Sequence, residues 1–229
     1  MNEPVERFDW NDRHTFLRAG IVVELVVLLV GLGLGWLAGI NPWLGCRVTP
    51  VSIAWGGAAT GPLLLAFGVT YTLDWAPLRR IRELLIELLG RPMARCRWYD
   101  LVILAVLAGV CEEVLFRGVI QPWMAGNDAA RPLAIGFGVA LVGSNLLFAL
   151  LHPVTRTYAV VVGLVGMYLG LVGLVDRLPV GTEQAGQPNL VVPIIAHGLY
   201  DFLAFLVIAR ESRRHERAGA EVSGIVEAD

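Results

Sequence analysis

The chain has no lysine; all 18 of its basic residues are arginine. Charge of either sign is scarce: Asp, Glu and Arg together make up 17% of 229 residues, against about 25% in a soluble domain. That shortage argues against one large soluble bundle, whose helices need polar faces toward water. No basic run stands apart from the apolar segments, so nucleic acid is not an expected partner. Cysteine is nearly absent. Cys46, Cys96 and Cys111 form an odd set at unrelated spacings, which argues against both a disulfide framework and a CxxC metal site. The first apolar stretch has no convincing signal-cleavage site before Pro42, and it reads as a retained span.

Apolar runs take the place of the missing charge. Hydrophobic residues reach 56% and the mean hydropathy is +0.64. Runs of about 18 or more apolar residues recur, the length a helix needs to cross hydrocarbon. The expected fold is all-α: a single polytopic membrane domain over residues 1–229. Six spans are read at about 17–40, 51–74, 99–123, 133–152, 157–175 and 190–209. The stretch 77–90, PLRRIRELLIELLG, sets Leu78, Ile81, Leu84, Leu85 and Leu88 on one face and its charges elsewhere. It is an expected interfacial helix, opened by Pro77 and closed by Gly90. Residues 210–229 read as a flexible cytoplasmic tail. Of the 18 arginines, 14 fall on the side that holds both termini, Arg47, Arg131 and Arg177 fall opposite, and Arg117 lies inside a span. The positive-inside rule then places both ends in the cytoplasm, in an expected prokaryotic plasma membrane with the lipid bilayer as constant partner. Gly31/Gly35 and Gly166/Gly170 are small-xxx-small pairs that let helices approach closely.

Ionisable side chains at bilayer depth cost at least about 2.5–3.5 kcal/mol each and so mark function. The third span holds Glu112, Glu113 and Arg117 in VCEEVLFRG. Glu113 and Arg117, four apart, are placed to pair as a structural ion pair. Glu112 is rotated by about 100° and lacks that partner. His152 follows Phe148 by four in FALLH, and Asp201 follows His197 by four in HGLYD. Three spans thus each bring Glu or His toward one polar site.

Glu112-Glu113-x-x-x-Arg117, Phe148-x-x-x-His152 and His197-x-x-x-Asp201, in that order and on separate spans, resemble the motifs of the CAAX-protease and bacteriocin-processing family of intramembrane peptidases. The resemblance covers about 98–209. It implies an endopeptidase acting on a membrane-associated peptide or protein: Glu112 activates water, His152 assists it, and His197 with Asp201 stabilises the oxyanion. Asp201 departs from the family's commoner asparagine; an ionised aspartate offers no donor, so it suits orienting a histidine or holding a metal. Zinc stays open as a cofactor, with His152, His197, Glu112 and Asp201 as the candidate ligands. Two other readings also stay open, a proton-coupled transporter built on buried Glu and His and a non-catalytic immunity or assembly protein of the same fold. The short distance from His152 to Arg156 sets that histidine near the cytoplasmic surface. The expected site therefore opens to the cytoplasm, with Thr155, Arg156 and Thr157 at its mouth.

Overall fold

A computed structural model describes residues 9–126, 133–176 and 188–226. Arg131, Arg177 and most of their connectors lie outside the described residues. Nine α-helices form among those described: α1 Arg13–Ala38, α2 Pro50–Thr72, α3 Ala76–Leu85, α4 Arg91–Arg95, α5 Trp98–Leu115, α6 Gln121–Ala125, α7 Leu133–Leu150, α8 Arg156–Val172 and α9 Val191–Val226. No strand occurs among them. The chain is an all-α membrane protein. Four segments are long and apolar enough to cross a bilayer on their own: Arg13–Ala38, Pro50–Thr72, Arg156–Asp176 and Val191–Gly219. The two other expected spans differ for physical reasons. The helix through α5 and α6 carries Asp100, Glu112, Glu113 and Arg117, and the apolar part of α7, Gly136–Leu150, is shorter. Both contribute side chains to the polar site.

Local chemistry sets the ends. Asp12 caps α1 by accepting from the Thr15 amide at 2.9 Å, and Gly39 closes it in the left-handed region at φ 68°, where a side chain is strained. Thr49 and Ser52 form a capping box at the start of α2. Two widened turns interrupt the other helices, Ile86–Gly90 before Pro92 and Phe116–Ile120 before Pro122. A proline has no N–H to give to the preceding turn, and a π-type turn absorbs the lost bond without ending the helix.

Gly90 is therefore not the stop expected of it. Its φ of −59° is ordinary helix, and the interfacial helix runs through it into α4. A Cβ there would lie 3.0 Å from the Ser212 Cβ, so the glycine lets α9 approach. The segment read as a flexible tail continues α9 as helix as far as Val226.

At the centre α5 packs between α1 and α9, and α2 lies along α9. One apolar cluster joins Phe16, Met93, Leu101, Leu104 and Ile208 where the starts of α1 and α5 meet α4 and α9. A second joins Ala59, Leu63, Leu169, Val192 and Ala196 between α2, α8 and α9. Outward-facing Leu29, Trp36, Leu37 and Leu65 stay exposed, as residues meant for lipid do. Arg13 grips Asp100 with two bonds of 2.6 Å each, pinning the start of α1 to the start of α5.

Candidate active site

The site begins with a backbone contact. A Cβ on Gly109 would lie 2.9 Å from the Gly198 nitrogen and 3.0 Å from the Ile194 oxygen, so α5 and α9 touch where neither has a side chain. One turn beyond Gly109 stand Glu112 and Glu113, and His197 directly precedes Gly198. The contact brings both groups together. His197 Nδ1 lies 2.9 Å from Glu113 Oε1. A carboxylate oxygen accepts, so this nitrogen carries hydrogen and donates. Nε2 then points to Asp201 Oδ2 at 3.4 Å and Glu112 Oε2 at 3.8 Å. Glu113 is fully buried, whereas the side chains of Glu112 and Asp201 keep 16% and 17% of their surface.

Behind this front lies a positive brace. Arg117 donates to Glu113 Oε1 at 3.0 Å, to Asn145 Oδ1 at 2.9 Å and to the Gly166 carbonyl at 2.6 Å. One guanidinium thus joins α5, α7 and α8. Asn145 is held in turn by donating to the Leu141 carbonyl at 2.7 Å. A Cβ on Gly166 would fall 2.3 Å from Asn145 Oδ1, so the absent side chain makes room for this network. Arg117 also lies over the Phe148 ring at 5.0 Å, and Phe148 meets Phe116 edge to face at 4.8 Å.

His152 stands apart from the Glu112–His197–Asp201 cluster, and its contacts are with Phe148. Its ring stacks on that residue at 4.6 Å. Its Nδ1 donates to the Phe148 carbonyl at 2.8 Å, because a carbonyl can only accept. That fixes Nε2 as the lone-pair nitrogen of the neutral ring. The four residues named as zinc ligands are not gathered: among the described residues no group of three or more His, Cys, Asp or Glu is arranged to hold a metal ion. Two carboxylates meet only the one imidazole of His197, whose other nitrogen is taken by Glu113, and this does not fit the expected four-residue zinc set.

The structure adds residues that the motifs did not contain. Asn145 completes the brace. Glu24 of α1 lies within charge–charge range of Glu112, His197 and Asp201. Its one signal in the sequence is an acid on the stripe Phe16, Gly20, Glu24, Val27, Gly31, Gly35 that packs the helix. A cavity of ≈ 150 Å³ runs from under α3 to Asp201, walled by Phe67, Tyr71, Arg82, Tyr158 and Tyr200 among others. Thr155, Arg156 and Thr157, the stretch expected at the mouth, are not among the residues that line this cavity. Thr155 instead caps α8 by accepting from the Tyr158 amide at 3.0 Å, and Tyr158 and Val161 line the cavity.

Residues 94–203 match the family described as Rce1-like, type II CAAX prenyl endopeptidase. The segment takes in all three motifs and the brace, and it excludes α1, α2 and α3. No curated protein and no solved structure matches the chain.

Proposed function

We propose that this chain, whose residues 94–203 match the Rce1-like CAAX endopeptidase family, is an intramembrane peptidase that hydrolyses a peptide bond of a membrane-associated peptide or protein with Glu112 as the base that activates water. The observation that carries this reading is the unequal fate of two adjacent glutamates. Glu113 is held by Arg117 and His197, whereas Glu112 lies 3.8 Å from the same histidine, outside the arginine pair, with 16% of its side-chain surface exposed.

Water held at Glu112 gives up a proton as its oxygen attacks the scissile carbonyl carbon. Negative charge develops on the carbonyl oxygen and needs a donor already aimed at it. His197 supplies that donor as the imidazolium, the form favoured by the carboxylates around it: Glu113 accepts from Nδ1–H, and Nε2–H is left for the oxyanion. Asp201, an acceptor only, holds that ring in place by its proximity to Nε2. His152, with its lone pair on Nε2, assists Glu112 once substrate closes the gap. No step is routed through a metal. The substrate enters from the cytoplasmic side along the cavity beneath α3, in a protein with both termini in the cytoplasm.

The test compares purified wild-type protein with Glu112→Gln on a prenylated CAAX peptide, alongside membrane proteomes of cells expressing each. General-base catalysis is worth about 10²–10⁴-fold, and the variant is expected to lose at least that much with its melting temperature unchanged. A folded Glu112→Gln protein that cleaves at the wild-type rate overturns the assignment.

A further inference from the structure

One partly buried acid takes no part in the chemistry assigned so far. Glu24 sits inside α1, outside the segment that matches the peptidase family. Three glycine contacts fix how α1 lies on α5. A Cβ on Gly20 would meet Leu104, one on Gly31 would meet Leu115, and one on Gly35 would meet Val119. The offset is 84 residues each time, so the helices run parallel in a constant register. That register sets Glu24 level with Ala108, one turn before Glu112. The stripe that carries it packs on α5 through Phe16, Gly31 and Gly35, all buried.

Glu24 Oε2 is buried and has no hydrogen-bond partner, and no ion pair involves the residue among those described. Glu112, His197 and Asp201, groups of the site itself, lie within its electrostatic range, as does Cys111. A carboxyl oxygen buried without a cation or a donor favours the neutral acid over the anion, so Glu24 is a group able to carry a proton beside the catalytic centre.

We propose that Glu24 is the general acid that protonates the leaving amine, completing from α1 a site whose other groups come from the family domain. This rests on the peptidase reading above. Water adds to the carbonyl carbon, and its proton goes to Glu112. The tetrahedral intermediate then collapses: the C=O bond re-forms, the C–N bond breaks, and the nitrogen takes the proton of Glu24. The products are a carboxylic acid and a free amine. Glu112 hands its proton to the Glu24 carboxylate, which restores both groups, so the net reaction consumes one water.

A substrate whose leaving group needs no proton separates this role from a structural one. The probes are a prenylated CAAX peptide and its thioester counterpart, with sulfur in place of the scissile N–H. A thiol has a pKa of about 8.5 and departs as thiolate, so its release is insensitive to a missing acid. Glu24→Gln is expected to slow amide cleavage by about 10²-fold and thioester cleavage by less than about threefold, whereas Glu112→Gln slows both. Equal loss on both probes, or no loss on the amide, overturns the proposal. Where Glu24→Gln melts early, Glu24→Asp serves instead: the amide rate must still fall more than the thioester rate, and an unchanged ratio overturns the role. Wild-type protein inert on both probes removes the peptidase reading and this inference with it. A Glu112→Gln variant as active as wild type on the amide removes Glu112 as the base, while the amide-to-thioester ratio of Glu24→Gln still decides the role of Glu24.

Discussion

Replacing Arg117 with alanine tests the brace most directly. The residue is 6% exposed and Glu113 is 0% exposed, so the substitution leaves a buried carboxylate with His197 as its remaining partner. It also removes the bonds to Asn145 and to the Gly166 carbonyl. Breaking a buried pair from one side costs about 3–5 kcal/mol. At about 1.4 kcal/mol per tenfold, the folded fraction relative to unfolded falls by roughly two to three and a half decades. For a chain of this length, that is a drop of about 6–20 °C in the melting temperature at about 2–4 °C per kcal/mol. The assay is thermal unfolding in detergent, read by the loss of the monodisperse peak. A paired substitution, Glu113→Gln with Arg117→Met, removes both charges at once, and it is expected to melt above Arg117→Ala because no lone charge remains. Arg117→Ala melting within about 2 °C of wild type, or the paired variant melting lower than the single one, would refute the claim that this ion pair organises the site.

Gly109→Val forces a side chain into the Gly198 backbone. It is expected to cost about 1–3 kcal/mol and to abolish cleavage, as measured by melting and peptide turnover. Asp201→Asn keeps an oxygen toward His197 Nε2 and is expected to retain folding and activity, whereas Asp201→Leu loses turnover by about tenfold or more; equal rates for the two variants would show that Asp201 does not hold the ring. Reporter fusions after Cys46 and after Gly219 are expected on opposite sides of the membrane, the second in the cytoplasm, and finding both on one side overturns the topology.

The pairing of Glu113 with Arg117 was readable because helix geometry alone brings residues four apart together. The same rule stacks Phe148 on His152, and it explains why Phe148 could be read as packing. Whether His152 reaches Glu112 depends on how α7 meets α5, which no local spacing contains. Gly90 shows the same limit from the other side. As a letter it signals a helix end, yet its role is to clear space for Ser212, more than a hundred residues away. Glu24 escaped because one acid in a 26-residue apolar helix scarcely lowers its hydropathy. Only its place on the small-residue stripe marks it, and that stripe gains meaning once α5 is known to lie against it. Asn145 is an uncharged residue in an apolar helix and gave no alarm as a letter, though it supports the arginine.

Helix α9 crosses α5 at Gly198 and continues to Val226 as one element of 36 residues. At 1.5 Å per residue the part beyond the crossing is about 42 Å long. The histidine and aspartate stand at the fulcrum of this rod, and its far end is a long arm. A tilt of about five degrees about the crossing would swing that end by nearly 4 Å while His197, a few ångströms from the pivot, moved by a few tenths. Whatever pulls or pushes on the arm therefore acts first on the walls of the cavity under α3. The lever is long where it can be grasped and short where the chemistry needs stillness.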